Sequence, residues 1–178
     1  MSETVNVLAL VCAEDVLAKY GQNEKGSNPV VLDENCGGLI VAGAYGGGKA
    51  LFNLAIRVPA GAQTDPTRIR WRASTLSMNA AYRCSIESVS LDPGVACMAA
   101  PAINSATIAL YHTDLAMPKD PSKLSTQSVS DEYWESKTAG SGSASYLIDI
   151  KISDEKGDVL GYYRIGSAAA GKPSVNVS

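Results

Sequence analysis

Three arginines spaced two apart, Arg68, Arg70 and Arg72, are the residues whose type and spacing point most directly to chemistry. On an extended strand such residues share one face at intervals of about 6.8 Å, so the three guanidiniums form a ladder. Their planar forks match carboxylates, phosphates and the hydroxyls of acidic sugars, and the row is the candidate ligand-binding site. The plainer arrangement of the same residues is a solvated sheet face. There carboxylates on neighbouring strands, such as Glu87 or Asp149, pair with the arginines for only tenths of a kcal/mol each.

Other constellations fall short of a site. Gly43-Ala-Tyr-Gly-Gly-Gly48-Lys49-Ala50 satisfies G-x-x-x-x-G-K, but a phosphate loop needs a Ser or Thr hydroxyl after the lysine and a helix whose N-terminal amides face the phosphates. Here Ala50 follows, and then an alternating strand pattern over 51–58 closed by Pro59. A glycine-rich connection between two antiparallel strands accounts for Gly46-Gly47-Gly48. His112 is the sole histidine, so any nucleophile–histidine mechanism must use it; it ends an alternating strand, and no G-x-S-x-G turn presents a serine. Glu14/Asp15 and Asp131/Glu132 are adjacent in sequence, point apart and read as solvated. Asp154, Glu155 and Asp158 flank Gly157 as an ordinary hairpin does rather than a calcium loop. Cys12, Cys36, Cys84 and Cys97 contain no C-x-x-C and read as free, mostly buried thiols. No enzyme, cofactor or metal is expected.

The chain has 178 residues, the size of one domain spanning 1–178. Hydrophobic residues make up 46% and charged ones 19%, a globular composition short of charge. A net charge of −3 argues against a nucleic-acid binder held by phosphate contacts. No apolar run reaches the roughly 18 residues of a membrane span. The start has no basic region, and its apolar stretch 5–13 runs into Glu14-Asp15, unlike a secretory signal. A cytoplasmic protein is expected, with signal-less export left open.

Period-two alternation places the candidate residues on strands. Ile69, Trp71 and Ala73 alternate with the three arginines; Phe52, Leu54, Ile56 and Val58, Tyr82, Cys84 and Ile86, and Tyr146, Ile148, Ile150 and Ile152 define three more. Segments 5–12 and 39–45 are apolar on both faces, as central strands are. Weaker strand patterns lie at 107–112, 128–136, 159–165 and 174–177. One or two helical turns fit 13–20, where Val16, Leu17 and Tyr20 share a face and Asp15 reaches Lys19. The polar stretch 21–30 wraps the surface, and 154–158 is a hairpin turn. About nine short strands with one short helix near the N-terminus predict an all-β, antiparallel β-sandwich. Eight Tyr and two Trp supply flat amphipathic surface, and Tyr133-Trp134 and Tyr162-Tyr163 each put one ring on either face.

The segment Ile69-Arg-Trp-Arg-Ala-Ser-Thr-Leu-Ser-Met-Asn-Ala-Ala-Tyr82 resembles the AidA/PixA family of bacterial inclusion-body proteins. The opening Val5-Asn-Val-Leu with Val16-Leu17-Ala18-Lys19-Tyr20, the strand Tyr133-Trp134-Glu135-Ser136 and the hairpin from Asp154 to Gly161-Tyr162-Tyr163 are similar to the family's in order and spacing, over about 5–177. Two departures stand out. Arg164-Ile-Gly-Ser follows where the family commonly has an aromatic and Asp-Pro, and four Met do not make a methionine store. The resemblance implies a β-sandwich made in the cytoplasm, often under quorum-sensing or growth-phase control, accumulating in inclusions and linked to host colonisation or virulence. It supplies no reaction or ligand. The reading is a non-catalytic protein whose partner is itself; the alternative is a lectin-like module, or an insecticidal toxin component, meeting a glycan or host protein through exposed Tyr/Trp and the arginine row.

Overall fold

The structure, a computed structural model, describes residues 3–42, 48–50, 52, 54–59, 61–62, 65–77, 81–113, 124–167 and 171–178. In chain order its elements are strand β1 (Thr4–Val11), helix α1 (Ala13–Tyr20), β2 (Val30–Val31), a one-turn 3-10 helix (Glu34–Cys36), β3 (Gly37–Ala42), β4 (Gly48–Ala50), β5 (Ala55–Val58), β6 (Gly61–Ala62), β7 (Asp65–Pro66), β8 (Arg68–Thr75), β9 (Tyr82–Leu91), β10 (Ala102–Thr113), β11 (Leu124–Lys137), β12 (Gly142–Asp154), β13 (Val159–Ile165) and β14 (Ser174–Val177). One large sheet runs β10-β11-β8-β1-β3-β4, a second runs β2-β13-β12-β14-β5 with β9 paired to β12 opposite β13, and β6 and β7 pair with each other as a small antiparallel ribbon.

The core lies between the two large sheets and follows from the alternation. Val5, Val7, Ala9 and Val11 of β1, Leu39 and Val41 of β3, and Ile69 and Trp71 of β8 point inward from the first sheet. Tyr146, Ile148, Ile150 and Ile152 of β12 meet them from the second, joined by Tyr163, Ile165, Val175 and Val177. Full burial of each Val, Leu or Ile among them is worth about 1.5–3 kcal/mol. Trp71 and Tyr146 tie the layers together edge to face, with ring centroids 5.5 Å apart.

The all-β sandwich expected from the alternation is what forms, but the sheets are mixed. β1–β8, β2–β13 and β5–β14 pair in parallel. A hairpin forces antiparallel pairing, whereas strands as far apart in the chain as β1 and β8 are free of that constraint. The helix is where its apolar face and charges put it, but Lys19 pairs with Asp33 instead of Asp15. That ion pair holds the Asp33 carboxyl down at about 2. β5 begins at Ala55 instead of continuing the alternation from Phe52, which sits buried in a turn.

Between β12 and β13, Gly157 takes φ 93°, and the Asp154 carboxylate accepts from the Lys156 and Asp158 amides, a side chain closing its own turn. Gly161 is needed for a different reason: a Cβ there would lie 2.4 Å from the Tyr163 hydroxyl, which donates to the Gly21 carbonyl at 2.6 Å.

β10 and β11 form an uninterrupted antiparallel ribbon from Ala102↔Glu135 to Thr113↔Leu124. Only Trp134 to Lys137 of β11 also pair with β8. Among the described residues the ribbon therefore leaves the sandwich and continues alone.

Candidate functional site

Alternation along β8 sends Ile69 and Trp71 into the core and Arg68, Arg70 and Arg72 to the outer face of the first sheet. β11 lies antiparallel beside it with Trp134 opposite Trp71 and Glu135 opposite Arg70, so Asp131, Tyr133, Glu135 and Lys137 share the arginines' face. The three arginines thus form the row their spacing predicts, and β11 supplies its neighbours.

Two of the three forks are occupied within the chain. Arg70 Nε donates to Glu135 Oε2 at 2.7 Å. Arg72 Nε donates to Asp131 Oδ1 at 2.9 Å, with Nη2 on the other carboxylate oxygen, and Nη1 donates to Asn6 Oδ1 at 3.1 Å. The Tyr133 ring lies against both, with guanidinium carbons 4.6 and 4.8 Å from its centroid. Cation–π attraction adds to the ion pairs there, and Tyr133 is left only 9% exposed. Hydrogen bonding from Arg72 holds the Asp131 carboxyl below the usual carboxylate range, and the same bond raises Arg72.

The carboxylates in place are Asp131 and Glu135. Glu87 pairs with Lys151 and Asp149 with Arg164, both in the second sheet. Asp131, which reads as solvated beside Glu132, is instead the main partner of Arg72. The signal that could have found these partners is the alternation of Tyr133, Glu135 and Lys137 against Trp134 and Ser136. Of the two aromatic pairs, Tyr162-Tyr163 has Tyr163 buried and Tyr162 half-buried. Tyr133 points outward but is covered by the arginines.

Arg68 differs. Among the described residues it makes no ion pair and its Nε is buried without a hydrogen-bond partner. Lys137, exposed, stands opposite it across the ladder.

Beneath the row, a cavity of about 160 Å³ opens beside β9, lined by Trp71, Cys84, Ile86, Ile103 and Trp134 among others. Among the described residues the Trp71 and Trp134 indole N–H groups meet no hydrogen-bond acceptor, but neither nitrogen has exposed surface to offer a ligand. Burial pushes the Cys84 thiol up to about 12, so it is protonated near neutral pH and a poor nucleophile. All four cysteines are free thiols, with Cys36 and Cys97 buried. His112 lies on β10 opposite Ser125. Of the glycine-rich stretch, residues 43–47 lie outside the described residues, and the part that follows, β4, is a strand paired with β3 and not a helix. Among the described residues no three His, Cys, Asp or Glu side chains are grouped to hold a metal ion. No helix among them is long and apolar enough to cross a membrane.

Comparison with known proteins adds a family. No curated protein matches the sequence. Among solved structures, the fold is similar to the crystal structure of an inclusion body protein (PixA) from Burkholderia cenocepacia J2315, with a TM-score of 0.72 at 14% identity over 99% of this chain and 97% of that one. The family model described as PixA, inclusion body protein, matches residues 3–167. The matched span takes in the first sheet, the second sheet apart from β14, the arginine row and the β12–β13 hairpin, and the chain belongs to the PixA inclusion body protein family.

Proposed function

We propose that this protein is a non-catalytic, self-associating component of bacterial cytoplasmic inclusions that serves the cell's interaction with a host. The observation that carries the reading is the surface chemistry of a chain in this family: a net charge of only −3 with 19% charged residues, and isolated apolar side chains at Val31, Leu76, Ile103, Ile108 and Val159 facing solvent. Such a surface offers little self-repulsion against close packing. Sedimentation across a concentration series tests it: reversible growth beyond the monomer supports the reading, and a monomer at every concentration refutes it. For the host role, a strain lacking the gene should colonise its host less well than the parent, and equal colonisation removes that part.

A lectin-like module for an acidic sugar is the second reading, favoured by one observation. Arg68 and Lys137 face each other at the end of the arginine row with no carboxylate paired to either among the described residues. A glycan array with Arg68→Ala alongside the wild type decides it. Selective binding lost in the variant promotes this reading; silence at high protein concentration leaves self-association.

A further inference from the structure

Natural sheets blunt their edges, because a border strand presents unpaired N–H and C=O groups to any chain that can extend the ladder. The usual devices are shortness, charge, proline, bulges or a cover. Most borders in this molecule obey. β2, β4 and β5 are two, three and four residues long. β9 carries Arg83 and Glu87, both exposed, and its register against β12 shifts at Asp149/Ile150.

Among the described residues, β10 uses none of these devices. It runs 12 residues, AINSATIALYHT, without an Asp, Glu, Lys, Arg, Pro or Gly. Its pairing with β11 is free of bulges, and among the described residues nothing pairs with its outer side. Ile103 is 60% and Ile108 40% exposed, on opposite faces of the ribbon. Beyond Asp131, residues 124–130 touch β10 alone in the ladder, a projection of about 20 Å. A two-stranded ribbon with both faces in water is marginal by itself, so its length calls for a partner.

We infer that β10 is the assembly edge of this protein and that its occupant is β10 of a second copy, paired antiparallel about a two-fold axis. The inference rests on the self-association reading and names its surface. A second copy fits for three reasons. Antiparallel self-pairing makes every contact symmetric, so a strand serves as its own partner only where no charge meets its like, and the strand has no charged Lys, Arg, Asp or Glu to oppose. An axis beside Ile108 sets that side chain against its own mate, so an exposed apolar residue is covered by itself, as an isologous interface requires. The pairing also continues the first sheet without a break, into twelve strands across the axis, since β10 is its last strand.

The test uses the full chain. Thr107→Lys/Ile108→Lys adds two charges to exposed positions, which leaves the sandwich core untouched. It sets like charges face to face across the axis, a costly arrangement. Sedimentation should show the double variant associating at least about 100-fold more weakly than wild type, the factor that a cost of several kcal/mol produces, with an unchanged melting temperature and circular dichroism spectrum. A variant that associates like wild type overturns the β10 edge while self-association stands; a wild type that stays monomeric overturns both. Hydrogen exchange on the wild type gives a reading independent of any substitution. Amides of residues 102–113 should become protected as concentration rises, and protection independent of concentration in an associating sample overturns the proposal.

Discussion

β9 and β10 each border a sheet, with 10 and 12 residues, and the chain treats them differently. β9 runs beside β12 for most of its length, turns Val89 into the core and packs Tyr82, Cys84 and Ile86 against it. Its exposed positions carry Arg83 and Glu87. β10 has a partner on one side only, and most of its described side chains are exposed on both faces. Burial fixes β9, because a slip by one residue would turn its apolar row to water. Among the described residues nothing comparable fixes β10 beyond its root, where Arg70, Arg72, Tyr133, Asp131 and Glu135 clamp β11 to β8. One edge is held by a core and the other by a polar clamp at its base.

The largest expected effect breaks the molecule on the buried side. Trp71 is fully buried at the meeting of β8, β11 and β12, and Trp71→Ala should cost about 3–5 kcal/mol through lost contacts and a cavity. Ile108→Ala on the free side should stay within about 0.5 kcal/mol. Denaturant unfolding of dilute protein measures both, and similar losses in the two variants would erase the distinction between the edges.

The clamp comes next. Arg72→Ala removes a two-pronged bond to Asp131, a bond to Asn6 and a contact with the Tyr133 ring. The pair is about a quarter exposed, and the expected loss is about 1–2 kcal/mol. Its distribution sharpens the comparison: hydrogen exchange should quicken along residues 126–135, while β12 amides stay protected at low denaturant. Equal acceleration in β12 would mean that the ribbon and sandwich open as one unit.

Much of this architecture is legible in the sequence, for a physical reason: a half-buried strand writes its alternation into the chain. β13 and β14 span the segments their patterns mark, and so does the helix at Ala13–Tyr20. β10 starts five residues before the pattern at 107–112, because a ribbon wet on both faces has no need to alternate. The arginine row is visible for the same reason that Trp71 is, through the two faces of β8. Its partners are not. Asp131 and Glu135 lie 59 and 65 positions from Arg72 and Arg70, and which strand lies beside β8 is decided by tertiary pairing. The parallel ladders escape the sequence on the same account.

Acid should loosen the clamp before the core. Asp131's folded pKa is depressed by Arg72, so its contribution is fully present above the ordinary carboxylate value of about 3.9 and is lost as pH falls through the folded value. Stability should therefore drop on acidification below about pH 4. Asp131→Asn, with no carboxylate to protonate, should show a shallower drop than wild type by fluorescence-monitored unfolding at stepped pH. Matching slopes would mean that the bond seen here adds no acid sensitivity.

The smallest effect concerns one thiol beneath the clamp. Cys84 lines the cavity between β8, β9 and the ribbon root, and burial pushes its pKa up to about 12. At pH 8 a thiol with that pKa is ionised at about one part in 10⁴, and the thiolate is the reacting species. Alkylation of Cys84 in the folded protein should therefore be slow, and faster at Cys12, which is also half-exposed but whose thiol is raised chiefly by its hydrogen bond with Asp15 and not by burial, as read by mass spectrometry of peptides over time. Arg72→Ala turns this residue into a reporter of the polar clamp. If the root of β11 is held mainly by the arginines, loosening it admits water and reagent to the cavity and quickens Cys84 alkylation, leaving the rate at Cys12 unchanged. If Trp134 and Ile103 keep the cavity closed without the clamp, the two rates stay as in wild type, and the ribbon root is held by apolar contact as β9 is.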